Sequence, residues 1–192
     1  IMQPYFFPYI GYFQLIHEVD IFVLYDNIQY TKSGWINRNN ILNNQKSYKI
    51  SLPLKKQTSF LNINQREISN SFNKKKFLNI INESYKKANN FNGCFSLIEK
   101  IVSSDETNLF SFLYNSIRTI NTYLNIETKI ITSSKLKTNP SDKSIDRIIS
   151  ICDQLDTEVY INPIGGISLY KKESFIKNFI NLKFLKTRDI VY

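Results

Sequence analysis

The 192-residue chain has one histidine, two cysteines, one tryptophan, five glycines and five prolines. Each shortage excludes something. A single His with Cys94 and Cys152, far apart in the chain, does not provide the clustered ligands of a zinc site. Cys152 falls in the apolar pattern Ile148, Ile149, Ile151, Cys152, Leu155, the buried face of a helix. Both thiols therefore read as buried, reduced and non-catalytic, as in a cytoplasmic protein. No run of eighteen apolar residues is present, so a membrane-spanning helix is not expected. The aromatic N-terminus, with two prolines and no basic stretch or small-residue cleavage site, argues against a signal peptide. Few Gly and Pro beside 42% hydrophobic content describe an ordered globular chain. At this length one domain has a substantial core, burying roughly 70% of its unfolded surface.

What is abundant is Lys, Asn, Ile, Phe and Tyr, with a net charge of +9. Lys in excess of Arg, with Asn and Ile, is the pattern of AT-biased codon choice. The charges form no sustained stripe, so the basic balance reads as a solvated surface rather than a nucleic-acid footprint. Its sharpest cluster, Lys74-Lys75-Lys76, starts a helical stretch. The charge still suits a small anionic partner, and a tRNA-binding transferase stays open as a third alternative; that one requires RNA affinity to fall steeply with salt.

The expected fold is α/β, a single domain over 1–192: a mostly parallel sheet with flanking helices, a β-hairpin after the second strand, and a largely helical insertion over roughly 70–125. Residues 1–3 read as a strand end, 11–19 as a short helix and 21–25 as a strand buried on both faces. Runs 35–42 and 47–54 flank the polar turn Asn43-Asn44-Gln45-Lys46, with Pro53 suggesting an edge. Residues 55–68 read as a loop, and 74–90 and 106–124 as helices, the latter with Leu109, Phe110, Leu113, Ile117, Ile120 and Leu124 on one face. The last third alternates: strand 129–132, helix 141–155, strand 158–161, a turn over 162–166, helix 169–178 and strand 182–185.

Ligands of open parallel sheets bind beyond the carboxyl ends of strands, and three loops fit that position. The first runs from Gln3 to Gly11, where Gly11 opens a helix and would let a phosphate approach the backbone; a tight turn with core aromatics is the alternative. The second, 26–38, follows a buried strand. Asp26 can serve as base, anchor or metal ligand. Lys32 and Arg38 can neutralise a phosphate or carboxylate, and Trp35 can stack on a base or sugar. An ion pair fixing a hairpin is the competing reading. The third, Asn162-Pro163-Ile164-Gly165-Gly166 with Tyr170 beyond, suits close backbone approach but matches no nucleotide fingerprint. His17 reads as a surface or boundary residue. Residues 138–144 either line the same cleft or hold a helix N-cap at Ser141 or Asp142.

Taken together, Gln3-Pro4 through Pro8, Gly11-Tyr12-Phe13, Asp20-Ile21-Phe22-Val23, Asp26-Asn27-Ile28-Gln29-Tyr30 and the stretch from Lys32 to Arg38 resemble the WbqC-like family of bacterial proteins. Asp146-Arg147, Tyr160 through Tyr170, and Phe175 extend the resemblance over nearly the whole chain. It departs at Asn162-Pro163, where Ser-Gly is expected, and at Asn27, where a second Asp is common. The resemblance implies a role in O-antigen and other surface-polysaccharide biosynthesis, as a transferase or amide ligase acting on the amine of a nucleotide-linked amino sugar. A non-catalytic nucleotide-sugar-binding protein of the same pathway is the alternative. The opening is also similar to the start of adenylate-forming amide ligases, which use ATP with magnesium, although Pro8-Tyr9-Ile10-Gly11-Tyr12 stands in place of their His-x-Gly-His. On the transferase reading Asp26, Lys32 and Arg38 are the catalytic set. Gln3, Gly11, Tyr12, Gln29, Trp35, Asn162, Gly165, Gly166 and Tyr170 contact substrate, and no metal ligand is assigned.

Overall fold

Ile21-Phe22-Val23-Leu24 is apolar at every position, and it forms β1 (Ile21–Leu24) with its last three residues buried, as a strand covered on both faces must. In the computed structural model, which describes residues 1–139, 142 and 144–187, β1 pairs in parallel with β4 (Lys129–Thr132), Ile21 opposite Lys129 and Leu24 opposite Thr132. On the other edge of β1, Met2 makes a single parallel bridge to Leu24. Its N–H donates to the Val23 carbonyl at 2.9 Å, and the Tyr25 N–H donates to the Met2 carbonyl at 2.8 Å. A second parallel pair joins β5 (Val159–Pro163) to β6 (Asn181–Leu185), with Asn162 opposite Phe184.

Parallel neighbours need crossover connections. Here α5 (Ser144–Gln154) leads into β5, and α6 (Lys172–Ile176) links β5 to β6. With α1 (Ile10–His17) these elements make one compact unit, built from residues 1–2, 9–25 and the chain from 127 onward. Its core is aromatic at two places. Tyr12 meets Phe22 edge-on at 5.4 Å, and Tyr160 stacks on Phe175 at 5.5 Å among Ile148, Ile149, Cys152, Ile180 and Leu182.

The other unit comprises residues 3–8 and 26–126. It holds β2 (Arg38–Asn43) and β3 (Lys46–Ser51), paired antiparallel. The residues between them, Asn44 and Gln45, have φ of 48° and 60°, the left-handed pair that matches strand twist in a two-residue loop. Three helices follow: α2 (Lys74–Tyr85), α3 (Phe91–Val102) and α4 (Leu109–Tyr123). Asn73 and Asn108 cap α2 and α4, accepting from the amides of Lys76 and Ser111 at 2.8 and 3.0 Å. Phe6, Ile36, Leu52, Ile63, Val102, Leu109 and Leu113 are fully buried in the core of this unit, each contributing about 1.5–3 kcal/mol.

The class is a mixed helix and strand protein with small sheets, two parallel and one antiparallel, each of two strands among the described residues. The mostly parallel sheet of the sequence reading is thus divided into pairs, because the strand end read at 1–3 is one bridging residue. The helix read over 74–90 ends at Tyr85, and residues 91–102 form α3, which the Asn-rich stretch 89–92 and Gly93 disguise as loop. The C-terminal helix read over 169–178 shortens to five residues. Cys94 lies exposed on α3, which corrects the expectation of two buried thiols, whereas Cys152 is buried. Ser141, read as an N-cap, lies outside the described residues. Among those described, no helix is long and apolar enough to cross a membrane.

Candidate functional site

The sequence-assigned residues divide between the two units. Gln3, Asp26, Gln29, Lys32, Trp35 and Arg38 belong to one, and Gly11, Tyr12, Asn162, Gly165, Gly166 and Tyr170 to the other.

In the first group, the chain leaves β1 and places Asp26 at 2% exposure. A buried carboxylate needs donors. Asn64 provides one, its Nδ2 donating to Asp26 Oδ2 at 3.0 Å while its backbone N–H donates to the Asp26 carbonyl at 3.1 Å. Asn64 is in turn fixed by the 3-10 turn Ile63–Gln65, closed by the Asn62 and Gln65 capping box. Asn108, the α4 cap, donates to the Asn64 carbonyl at 2.8 Å. A polar spine thus runs from Asp26 through Asn64 to the start of α4. Gln29, exposed, donates to the Ser59 carbonyl at 3.0 Å.

Arg38 folds back on its own loop, Nε donating to the Gly34 carbonyl at 3.0 Å and Nη2 to that of Ser33 at 2.5 Å. That turn carries Lys32 and Trp35, both exposed. Next to them Tyr30 is buried, its hydroxyl donating to Asn37 Oδ1 at 2.8 Å. Arg66, 5% exposed, lies 4.9 Å over the Tyr30 ring and donates to the Thr58 carbonyl at 3.0 Å, with Nε buried and without a partner. Burial pushes the Tyr30 hydroxyl above its ordinary range, and the charges of Arg66 and Arg38 partly oppose that rise. The Pro-aromatic loop is tied to this region: Phe6 N–H donates to the Trp35 carbonyl, and Asn39 Nδ2 donates to the carbonyls of Phe6 and Phe7. Asn64, Asn108 and Arg66 carry no motif, and the stretch holding Asn64 and Arg66 reads as plain loop. Only the density of Asn and Gln with one Arg over 62–66 signals Asn64 and Arg66, and Asn108 shows only as a helix cap.

In the second group, Tyr12 is 1% exposed and serves the core. The space that a Cβ would take at Gly11 is filled by the Tyr9 ring and by Thr187 Oγ1, so Gly11 accommodates side chains rather than an open phosphate cradle. His17 is exposed. The turn after β5 is more telling. Asn162, 5% exposed, donates through Nδ2 to the Tyr160 hydroxyl at 2.9 Å. A Cβ at Gly166 would collide with Asn162 Oδ1, whereas Gly165 faces open space. Tyr170 meets Tyr160 edge-on at 6.2 Å. Arg147 of α5 sits 5.6 Å over the ring of Tyr25, the residue after β1. Arg147 and Tyr25 are the residues missed here: periodicity places one on a helix and the other at a strand end, and neither spacing says that they meet.

The same unit has a groove of about 410 Å³ along the N-terminal halves of β1 and β5. Glu18, Asp20, Asp156 and Glu158 line it, a wall that repels anions. Ile1 also lines it. Cys152, at its floor, is pushed up to about 11, chiefly by burial, so its thiol stays protonated. Among the described residues there is no group of three His, Cys, Asp or Glu placed to hold a metal.

The elements define a mixed α/β protein with polar groups gathered after strands β1 and β5. The sequence pattern of the WbqC-like protein family matches residues 3–192, and the chain belongs to that family. It is similar to the Mycobacterium tuberculosis uncharacterized protein Rv1507c, with 29% identity over 164 residues that span 84% of this chain and 70% of that protein. No solved structure matches the chain.

Proposed function

We propose that this protein transfers an acyl or aminoacyl group, glycyl for example, to the amine of a nucleotide-linked amino sugar in cytoplasmic steps of surface-polysaccharide biosynthesis. The observation that carries the reading is Asp26, a carboxylate 2% exposed at the end of β1 and oriented by Asn64. An ammonium must lose a proton before its nitrogen can attack an activated carbonyl, and an oriented buried carboxylate is a suitable acceptor. The carbonyl oxygen gains negative charge in the same step. Lys32 and Arg38 are the cations assigned to it, with Gln3, Gln29 and Trp35 orienting substrate. The new C–N bond becomes the amide as the adduct collapses, breaking the bond from the carbonyl carbon to the donor's leaving group, which departs with the electron pair. On an adenylate-forming route ATP with magnesium would activate the donor carboxylate, and that leaving group would be AMP. Asn162, Gly165, Gly166 and Tyr170 are assigned to substrate binding in their own unit.

One observation favours the non-catalytic alternative, a nucleotide-sugar-binding accessory protein: Arg38 spends two donors on the carbonyls of Ser33 and Gly34. Two experiments separate the readings. A thermal-shift screen of nucleotides, nucleotide-linked amino sugars and acyl donors, with and without magnesium, identifies ligands. A ligand at a hundredfold excess over its Kd stabilises by about 2.7 kcal/mol. Turnover of the ligand so found is then measured in Asp26→Asn, where a loss of about 10²–10⁴-fold is expected. Full turnover in Asp26→Asn removes Asp26 as the base, and binding without turnover in the wild type establishes the accessory role.

A further inference from the structure

Within the unit built on β1, β4, β5 and β6, polar groups that the transfer reading leaves unused gather at the carboxyl ends of the strands. Tyr25 follows β1. β4 ends at Thr132, opposite Leu24, and Ser133, buried at 1% exposure, follows it. Asn162 stands near the end of β5. Above Tyr25 lies Arg147, whose Nε is buried without a hydrogen-bond partner. Thr132, 7% exposed, has a hydroxyl oxygen in the same condition.

Orphaned polar atoms of this kind cost stability unless something completes them. An arginine stacked on a ring and short of an acceptor is a cation held ready for an anion. The nearby groups are neutral, the hydroxyls of Tyr25 and Tyr170 and the amide of Asn162, and the hydroxyls can donate to such an anion. Tyr170 packs edge-on against Tyr160 at 6.2 Å, and burial raises its hydroxyl above the ordinary range, so it stays protonated. Residues 1 and 2 tie the two groups together, the Tyr160 hydroxyl donating to the Ile1 carbonyl at 3.5 Å and the Tyr25 N–H to the Met2 carbonyl at 2.8 Å. No acidic side chain is paired with Arg147 among the described residues. The carboxyl ends of parallel strands are where such folds bind ligands, and the acidic groove runs along the opposite halves of β1 and β5.

We infer that Arg147, with Tyr25, Tyr170 and Asn162, binds a single oxyanion, a carboxylate or a phosphate group, at the carboxyl ends of β1 and β5. Arg147 supplies the charge, Tyr25 fixes its plane, and Tyr170 donates. Gly166 keeps Asn162 in place by leaving its side chain room. The inference deepens the substrate-binding reading of Asn162, Gly166 and Tyr170, but it does not depend on the transfer chemistry assigned to Asp26.

The test is a titration of the full chain, labelled with ¹⁵N, with inorganic phosphate in one arm and acetate in the other. The Arg147 Nε–H resonance, identified by its disappearance in Arg147→Lys, is the readout. A saturable shift in at least one arm is expected. The phosphate arm alone would assign a phosphate ester, and the acetate arm alone a carboxylate. Affinity, read in the variants from the backbone amides of Asn162 and Gly166, should fall at least tenfold in Arg147→Met and several-fold in Tyr170→Phe, with Arg147→Lys intermediate because it keeps the charge and loses the fork. No saturable shift with either anion overturns the inference, as does wild-type affinity in a folded Arg147→Met. Turnover is not read, so failure here leaves the Asp26 experiment standing, and failure there leaves this one.

Discussion

Replacing Gly166 with alanine sets a Cβ against Asn162 Oδ1, closer than real Cβ contacts come. The far end of Asn162 has to move, and it is not free to do so cheaply. Asn162 is 5% exposed, and its Nδ2 donates to the Tyr160 hydroxyl at 2.9 Å. Overpacking costs about 1–3 kcal/mol, and a buried hydrogen bond left unmade costs about 1–3 kcal/mol more. Partial relaxation puts the sum at roughly 2–4 kcal/mol. For a chain of this size each kcal/mol lowers Tm by about 2–4 °C, so a fall of roughly 5–15 °C is expected. Gly165 is the internal control. It has open space and no positive φ, so Gly165→Ala should stay within about 0.5 kcal/mol of the parent, or gain slightly from a stiffer unfolded chain. Differential scanning calorimetry of both variants, with hydrogen exchange across β5 to locate the loss, is the assay. If Gly166→Ala melts within about 1 °C of wild type, or if Gly165→Ala falls as far, the packing argument is wrong.

Three further outcomes follow from the geometry. With Ellman's reagent at pH 8, Cys94 should react at once and Cys152 only on unfolding, because the first is exposed and the second buried; two fast thiols would contradict the fold of α5. Burial holds the hydroxyls of Tyr25, Tyr30, Tyr160 and Tyr170 above their ordinary value of 10.0. A raised folded-state pKa gives stability that is full below pH 10 and is lost as pH rises through the folded values. Absorbance at 295 nm should therefore show an early wave of exposed phenols and a lagging group that ionises as the fold gives way, and a single wave centred at 10 would refute this. Asn64→Ala should cost about 1–3 kcal/mol in urea unfolding, since it leaves the Asp26 carboxylate short of a buried donor, whereas an unchanged midpoint would mean that the carboxylate is satisfied without it.

Legibility in the sequence followed what each residue depends on. β1 and β4 are short apolar runs whose identity needs no partner to be read, and Lys129–Thr132 falls where the sequence reading places it. Asp26 was legible because an acid ending such a run stands out. Asn64 and Asn108 were not, since an Asn in a loop acquires its role only when the loop meets another segment, here across 38 residues to Asp26 and 44 to Asn64. Gly11 and Tyr12 looked like a binding turn because φ and burial are invisible in sequence; the structure puts other side chains against the first and core around the second. Arg147 has the plain spacing of a polar residue on an amphipathic helix. Its contact with Tyr25 spans most of the chain, which no local pattern encodes.

The interleaving of the two units sets a timetable for synthesis. The segment 26–126 is nearly all of one unit, so it emerges as a continuous stretch whose contacts form among themselves as it leaves the ribosome. β1 emerges just before it and cannot pair until β4 is made, because Ile21 finds its partner at Lys129. At about 5–20 residues per second the delay is roughly 5–20 s. For that time an apolar Ile-Phe-Val-Leu strand has only Met2 and α1 to lie against. Slow, non-local parallel pairing of this kind limits folding speed and exposes the nascent chain to aggregation. Chaperone supply should therefore raise the yield of soluble protein more than it would for a protein whose strands pair with their neighbours, and slowed translation, which lengthens the delay, should lower it.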